Sequence, residues 1–253
     1  MIIIKFGGHA MNDTQGIFAA AIKSVLLKGE QVIVVHGGGP QINAELKIRN
    51  IESTFVNGYR FTTDEIFVVV DEVLSKIVGP EVARNLELAG VNARAISGKQ
   101  SEILFAQHID GLGRVGRVVK VDTTSIDELL AQNVLPVIAP IAVDVVGGIG
   151  LNINADLAAA AISGAYSDST LIIMTDVAGI YRNWPDKNSL IKEISADKLA
   201  ELKPTFADGM LPKVDATLEA IAAGAHSVRI IDGTDEGSFA AALDGIGGTL
   251  VYA

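Results

Sequence analysis

The sequence predicts an α/β fold: a three-layer α/β/α sandwich built on a mainly parallel central sheet. Three observations carry this. Short apolar runs of strand length alternate along the chain with runs of helical spacing. The strand-like runs are continuously apolar, as strands are when both faces are covered. No repeat, low-complexity tract or Pro/Ser linker interrupts the alternation. A chain of 253 residues fits one large domain or two intimate ones.

Taken in order, Ile2 to Phe6 is a buried strand that follows Met1 directly. Ile17 to Leu27 has helical spacing, Gln31 to Val35 is a second strand and Pro40 to Ile48 a second helix. Thr63 to Val78 is a long helix, with Asp64 and Glu65 in the first turn where the helix dipole favours them. Glu81 to Leu88 is another. Ala93 to Ile96, Ile103 to Ala106 and Val115 to Val121 are strands. Thr124-Ser125-Ile126-Asp127 fits a capped start for a helix to Ala131. Val134 to Ile138 is a buried strand and Asp156 to Ala165 an alanine-rich helix. Thr170 to Thr175 is a strand, Pro212 to Ala223 a helix and Val228 to Ile231 a strand. A last helix near Phe239 to Leu243 precedes a closing strand at Thr249 to Tyr252. With no tether visible, any lobe boundary is a cleft. It is placed near Gly164 to Asp168, dividing residues 1–166 from 167–253.

Composition narrows the function. Hydrophobic residues are 49% and charged residues 20%, which excludes disorder. The formal charge is −10, and no run of Lys and Arg forms a basic patch, so nucleic-acid binding is not expected. Cysteine is absent, which removes disulfides, Cys zinc sites and thiol nucleophiles and suits a reducing cytosol. No signal-like segment follows Met1. The longest apolar run, Val134 to Val143, holds Pro136 and Pro140 and is half the length of a membrane span. A soluble, cytoplasmic protein is expected.

Three Gly-rich turns adjoin strands: Lys5-Phe6-Gly7-Gly8, His36-Gly37-Gly38-Gly39-Pro40 and Gly147-Gly148-Ile149-Gly150. Glycines after a strand let backbone N–H groups approach an anion, with a helix N-terminus behind them. In a parallel sheet the first two emerge at strand carboxyl ends, where ligands bind. Neither the dinucleotide G-x-G-x-x-G nor the P-loop G-x-x-x-x-G-K-S/T occurs. His36-Gly-Gly-Gly also matches an esterase oxyanion turn, but no G-x-S-x-G elbow accompanies it.

These turns, in order with Asn57-Gly58-Tyr59-Arg60-Phe61-Thr62, Asn152-Ile153-Asn154-Ala155-Asp156, Thr175 to Tyr181 and Asp208 to Lys213, span nearly the whole chain. Together they resemble the N-acetylglutamate kinase family of the amino-acid kinase superfamily. The chain departs from that pattern at Tyr59, at Ser75 to Pro80, at Ser97 to Gln100 and at Asp208. The resemblance implies ATP-dependent phosphorylation of the γ-carboxylate of N-acetyl-L-glutamate, the second step of arginine synthesis. Residues 1–166 then form the acceptor-binding and dimerising lobe, and 167–253 the ATP lobe.

Such a reaction needs no general base, because the attacking carboxylate is already ionised. Both reactants are anionic, so positioning and charge stabilisation dominate. Lys5 sits in an apolar strand beside a Gly-Gly turn, where a buried charge needs a partner. Lys213 sits near a helix start, where an anion would relieve its conflict with the dipole. The resemblance makes both catalytic, with Asp156 bridging them. It puts Arg60 on the substrate α-carboxylate as a bidentate fork and Asn152 on its acetamido or carboxylate group. Gly38 and Gly39 join the substrate site. Gly7 and Gly8 fall to ATP, with the amides of Gly8, Gly38 and Gly39 on the γ-phosphoryl and the attacked carboxylate. Asp176, Val177, Ala178, Gly179, Ile180, Tyr181, Thr205, Phe206 and Ala207 line the adenosine pocket. Mg²⁺ is expected on ATP phosphates and water, with no all-protein metal cage. His9, His36, His108 and His226 lack metal spacing, and His36 reads as a packed turn residue. Trp184 reads as a loop anchor.

Two other readings stay open: a sister kinase acting on carrier-linked aminoadipate or glutamate, and a non-catalytic nucleotide-binding module on the same scaffold. Only Met1 precedes the first strand, so the N-terminal helix that links hexamers and completes the arginine site in arginine-inhibited members is expected to be missing. A homodimer insensitive to arginine follows, formed through the Thr63 to Val78 helix and its stripe of Ile66, Val69, Val70, Val73 and Ile77.

Overall fold

The computed structural model describes residues 1–7, 16–206 and 210–253. Its centre is an eight-stranded sheet. The strands are β1 (Ile2–Phe6), β2 (Val32–His36), β5 (Ala93–Ser97), β8 (Leu135–Ala139), β11 (Thr170–Thr175), β12 (Glu193–Ser195), β13 (Ser227–Asp232) and β14 (Thr249–Tyr252). They run in the order β12-β14-β13-β11-β1-β2-β8-β5. All neighbours are parallel except β13 and β14. β1 and β2 are aligned residue for residue from Ile2↔Val32 to Phe6↔His36. Their two glycine turns therefore leave the sheet side by side, with Gly37 N–H donating to the Phe6 carbonyl at 2.7 Å.

Helices cover both faces. On one lie α1 (Ile17–Leu27), α2 (Gly39–Ile48), α3 (Asp64–Glu72), α4 (Gly79–Leu88) and α9 (Glu236–Leu243). On the other lie α5 (Thr124–Ala131), α6 (Ala155–Gly164), α7 (Ala196–Leu202) and α8 (Leu211–Ala222), with a second sheet. That sheet has the order β10-β9-β6-β7, from β6 (Leu104–His108), β7 (Gly116–Val121), β9 (Ile141–Asp144) and β10 (Gly150–Asn152). A hairpin, β3 (Phe55–Val56) and β4 (Tyr59–Arg60), stands apart. Asn57 and Gly58, both at positive φ, form its two-residue turn. The expected α/β/α layering and mainly parallel sheet are present.

Several expected elements differ, each for a local reason. The predicted break after Val78 is absent. A π-helical turn, Val73–Val78, carries α3 directly into α4. Pro80 has no N–H to give and its ring crowds the preceding turn, so the backbone widens there, with Gly79 N–H donating to the Leu74 carbonyl five residues back. The apolar run from Val134 to Val143 becomes two strands because Pro140 interrupts the ladder and β9 crosses to the second sheet. The third glycine turn closes the β9–β10 hairpin. Helix α5 has Thr123 at its N-cap position with no side-chain cap; the carboxylate of Asp122, one residue earlier, accepts from Thr124 N at 3.2 Å, so the expected capping box from Thr124 does not form. The strand β12 and helix α7, short and rich in polar residues, carried no apolar signal.

The stripe read as a dimer contact is turned inward. Ile66, Val69, Val70 and Val73 are buried in the chain's own core, while Val68 and Ile77 stay exposed. The central sheet runs without interruption across the expected lobe boundary. There α6 and α8 pack so closely that a Cβ on Gly164 would stand 2.2 Å from that of Ala223. Among the described residues, no helix is long and apolar enough to cross a membrane.

Candidate active site

The carboxyl ends of β1 and β2 open into a cleft of about 270 Å³, at the small end of ligand sites. The glycine turn 37–39, hairpin residues Gly58 to Arg60, Asn152 and Asp156 line it, with Lys5 at its base. The third glycine turn does not reach it.

Alternation in β1 sends Ile4 and Phe6 into one core layer and Ile3 into the other. Lys5 therefore points with Ile3 toward α6. Its ammonium lies 3.1 Å from Asp156 Oδ1 and donates to the Met174 carbonyl at 3.3 Å. Lys213, in the first turn of α8, lies 3.5 Å from the other oxygen, Oδ2. Asp156 thus bridges the two lysines. The side chains of Lys5, Lys213 and Asp156 are only 12%, 19% and 6% exposed, so solvent screens this triad little. Burial opposes ionisation of Asp156, but the two ammonium groups outweigh it and hold the carboxyl below its ordinary range. The start of α6 adds to this, since Asn154 caps it by accepting from Asp156 N at 2.8 Å. Gly7 makes the room: a Cβ there would stand 2.9 Å from Lys5 Nζ.

Arg60 ends β4 and is buried. One guanidinium nitrogen donates to Ser53 Oγ at 2.6 Å and another to Asn43 Oδ1 at 2.7 Å, and the group stacks 4.7 Å over the Phe55 ring. No carboxylate pairs with it among the described residues. Burial pulls its pKa down, so its charge is incompletely compensated and faces the cleft. Asn152 donates from Nδ2 to Thr62 Oγ1 at 3.1 Å, and Thr62 in turn donates to the Arg60 carbonyl at 2.7 Å. This orients the Asn152 amide and leaves its oxygen as an acceptor. Gly38 caps α2 and Gly39 begins it, so both amides lie among the orphan donors of a helix N-terminus. Among the described residues, a chain of charge −10 thus lines this cleft with two cations and one carboxylate, and Lys213 adds a third cation behind.

His36 was read as packed, and it is fully buried. Burial depresses its pKa to about 4. The unfolded chain takes up this proton below about pH 6.5. Between those values the unfolded state binds more protons, so stability falls as pH falls, by up to about 3 kcal/mol, and levels off below the folded pKa. Denaturant titrations at pH 7 and 4.5 are expected to show that excess loss in the wild type and not in His36→Asn. Equal losses in both would contradict it.

The residues expected around adenosine come from two places, Asp176 to Tyr181 after β11 and Thr205 and Phe206 after α7, and they differ in exposure. Asp176 and Thr205 are exposed, and Val177, Ala178, Tyr181 and Phe206 are half-buried. Gly179 and Ile180 are packed inward. The Ile180 amide donates to Thr249 Oγ1 at 2.8 Å, and a Cβ on Gly179 would stand 2.4 Å from that hydroxyl. Gly8 and Ala207 lie outside the described residues. Among the described residues, no group of three His, Asp or Glu side chains is placed to hold a metal ion.

A buried lysine–carboxylate–lysine bridge beside glycine turns on adjacent parallel strands suits the binding of phosphoryl groups, and comparison with known proteins gives the class as the amino acid kinases. The model of the amino acid kinase family matches residues 1–232. An acetylglutamate kinase of Mycolicibacterium gilvum is 40% identical over 246 residues, 93% of this chain and 84% of that protein. Another, from an Arthrobacter species, is 41% identical over 247 residues, 92% of this chain and 80% of that protein. The crystal structure of smu.665 from Streptococcus mutans superposes with a TM-score of 0.86 at 30% identity, covering 100% of this chain and 98% of that one. Carbamate kinase of Giardia lamblia bound to AMP-PNP shares the fold, with a TM-score of 0.75 at 20% identity, covering 99% and 97%. The chain belongs to the amino acid kinase family and, within it, to the acetylglutamate kinases.

Proposed function

We propose that this cleft transfers the γ-phosphoryl group of ATP to the γ-carboxylate of N-acetyl-L-glutamate, giving N-acetyl-L-glutamyl 5-phosphate in arginine biosynthesis. The observation that carries the reading is the Lys5–Asp156–Lys213 bridge, 3.1 and 3.5 Å long, beside two glycine turns and a buried, carboxylate-free Arg60.

The barrier between two anions is repulsion and alignment. The Gly38 and Gly39 amides and Lys5 neutralise the phosphoryl oxygens, and Lys213 follows charge onto the departing ADP. Asp156 fixes both ammonium groups. The open side of Arg60 takes the α-carboxylate, and the free oxygen of Asn152 accepts from the acetamido N–H. Asp176 to Tyr181, with Thr205 and Phe206, border the nucleotide, the inward-packed Gly179 and Ile180 shaping that border from behind. Gly7, beside the Lys5 ammonium, serves the phosphate side. Mg²⁺, held by ATP phosphates and water rather than by side chains of the chain, would supply charge shielding of the phosphates. Residues 1–166 carry the acceptor and 167–253 the nucleotide. Ile77, the member of the apolar stripe left exposed on the long helix, favours a homodimer through that helix. Light scattering at twice the chain's 26.5 kDa supports it, and a monomer mass contradicts it.

Arg60→Ala tests the acceptor site. It is expected to raise KM for N-acetyl-L-glutamate roughly 10- to 100-fold, the worth of a hydrogen bond to a charged group, with KM for ATP unchanged. Equal shifts in both KM values would contradict the assignment.

A further inference from the structure

We propose that His36 is a positioning residue for phosphoryl transfer: by holding the Gly37 carbonyl, it turns the Gly38 amide toward the transferring group. The identity of that group rests on the reading above.

His36 ends β2 and is fully buried. Its Nδ1 lies 2.8 Å from the carbonyl oxygen of Gly37. A carbonyl oxygen only accepts, so Nδ1 carries the proton and donates. Nε2 has no hydrogen-bond partner among the described residues. Gly79, brought over the ring by the π-helical turn, occupies the space beside Nε2. A Cβ at position 79 would stand 3.1 Å from Nε2 and 3.2 Å from the Leu74 carbonyl. The ring is therefore a neutral, one-sided donor with a single target.

The target matters because of its neighbours. Three consecutive glycines offer almost no steric resistance to a peptide flip. In a trans peptide the C=O and N–H point to opposite sides of the chain, and the Gly37–Gly38 bond is trans. Pinning the Gly37 carbonyl on the His36 side faces the Gly38 N–H the other way. Gly38 lines the cleft, and its amide has no partner among the described residues. With the opposite peptide orientation, a carbonyl dipole would face the anion and repel it. A Cβ at Gly38 would stand 2.5 Å from Leu74 Cδ2, so the turn is seated against the same π-helical element that covers His36. Burial keeps the ring neutral well below pH 7, and the Nδ1–H donor is present in this tautomer and in the protonated ring alike.

Asparagine places an N–H donor at the position of Nδ1. Glutamine places it near Nε2, and leucine supplies none. The expected order of kcat is wild type, then His36→Asn within about fivefold, then His36→Gln and His36→Leu lower by on the order of 100-fold, as for loss of one oxyanion-type donor. KM values for ATP and acceptor are expected to stay within about threefold. Thermal melts identify the folded fraction in each case, and if His36→Leu does not fold, the Asn–Gln contrast alone decides. Asn and Gln falling together, or Leu retaining wild-type kcat, would overturn the proposal. Binding of ADP with Mg²⁺ and aluminium fluoride, a planar phosphoryl mimic, measured by calorimetry, provides a readout that does not depend on the acceptor. The same order of affinities there, with a wild type inactive on N-acetyl-L-glutamate, would overturn the acceptor assignment and support the role of His36. Equal affinity in all four proteins would overturn the role itself.

Discussion

Lys213→Ala is expected to lower kcat on the order of 10²- to 10³-fold, and Lys5→Ala by a similar factor, with far smaller changes in either KM. The magnitude follows from removing one preorganised donor from a site where charge develops. Each ammonium is less than one-fifth exposed, and each is held by one oxygen of the same carboxylate. Neither has to find its position during the reaction. Because they share Asp156, their losses are not independent, and the double variant is expected to fall by less than the product of the two factors. Steady-state kinetics on the single and double variants measures this. A Lys213→Ala protein with near-normal kcat would remove that lysine from the mechanism.

Asp156→Ala is expected to cost about 3–5 kcal/mol of stability as well as activity, because removing one partner of a buried ionic network strands the others. Here two ammonium groups, 3.1 and 3.5 Å from the lost carboxylate, would face each other with little solvent between them. A bound polyanion replaces the missing charge. ATP is therefore expected to raise the melting temperature of Asp156→Ala more than that of the wild type. The carboxyl is held below its ordinary range in the folded protein. Its contribution is therefore present above the unfolded value, near 4, and fades as pH drops through the lower folded one. Chemical denaturation with and without ATP checks both points. Stability within 1 kcal/mol of the wild type would show that the bridge is incidental.

The chemistry-bearing turns were legible because each combined a residue type and a position that packing alone does not explain. Lys5 sat in an apolar strand before Gly7, and the structure brings it to Asp156. Arg60 and Asn152 were legible as residue types, but not their coupling through Thr62, which depends on β4 and β10 meeting in space. His36 read as packed, and it is. Its hold on Gly37 was hidden because the element that covers it, the π-helical turn, lies about forty residues further along the chain. The stripe on the long helix was correctly apolar but wrongly faced, since periodicity says that one face is buried and not against what. Gly179 and Ile180 follow the same logic. A run leaving a strand toward a nucleotide alternates between facing the ligand and facing the core, and only the contact with Thr249 tells which. Strands β9, β10 and β12 escaped notice because a proline, a glycine turn and short length removed the patterns by which strands are recognised.

The most direct measurement traps the acyl phosphate as its hydroxamate, with ATP and Mg²⁺, using N-acetyl-L-glutamate and unacetylated L-glutamate in parallel. The cleft offers Asn152 and Arg60 to an amide and a carboxylate, and the one carboxylate among its described lining residues, Asp156, is already committed to two lysines. A free ammonium on the acceptor would find no uncommitted anion among the described lining residues. The expected result is a kcat/KM for the acetylated acid at least 100-fold above that for glutamate, about 2.7 kcal/mol of discrimination. Comparable values on the two acids, or no hydroxamate from N-acetyl-L-glutamate, would contradict the account.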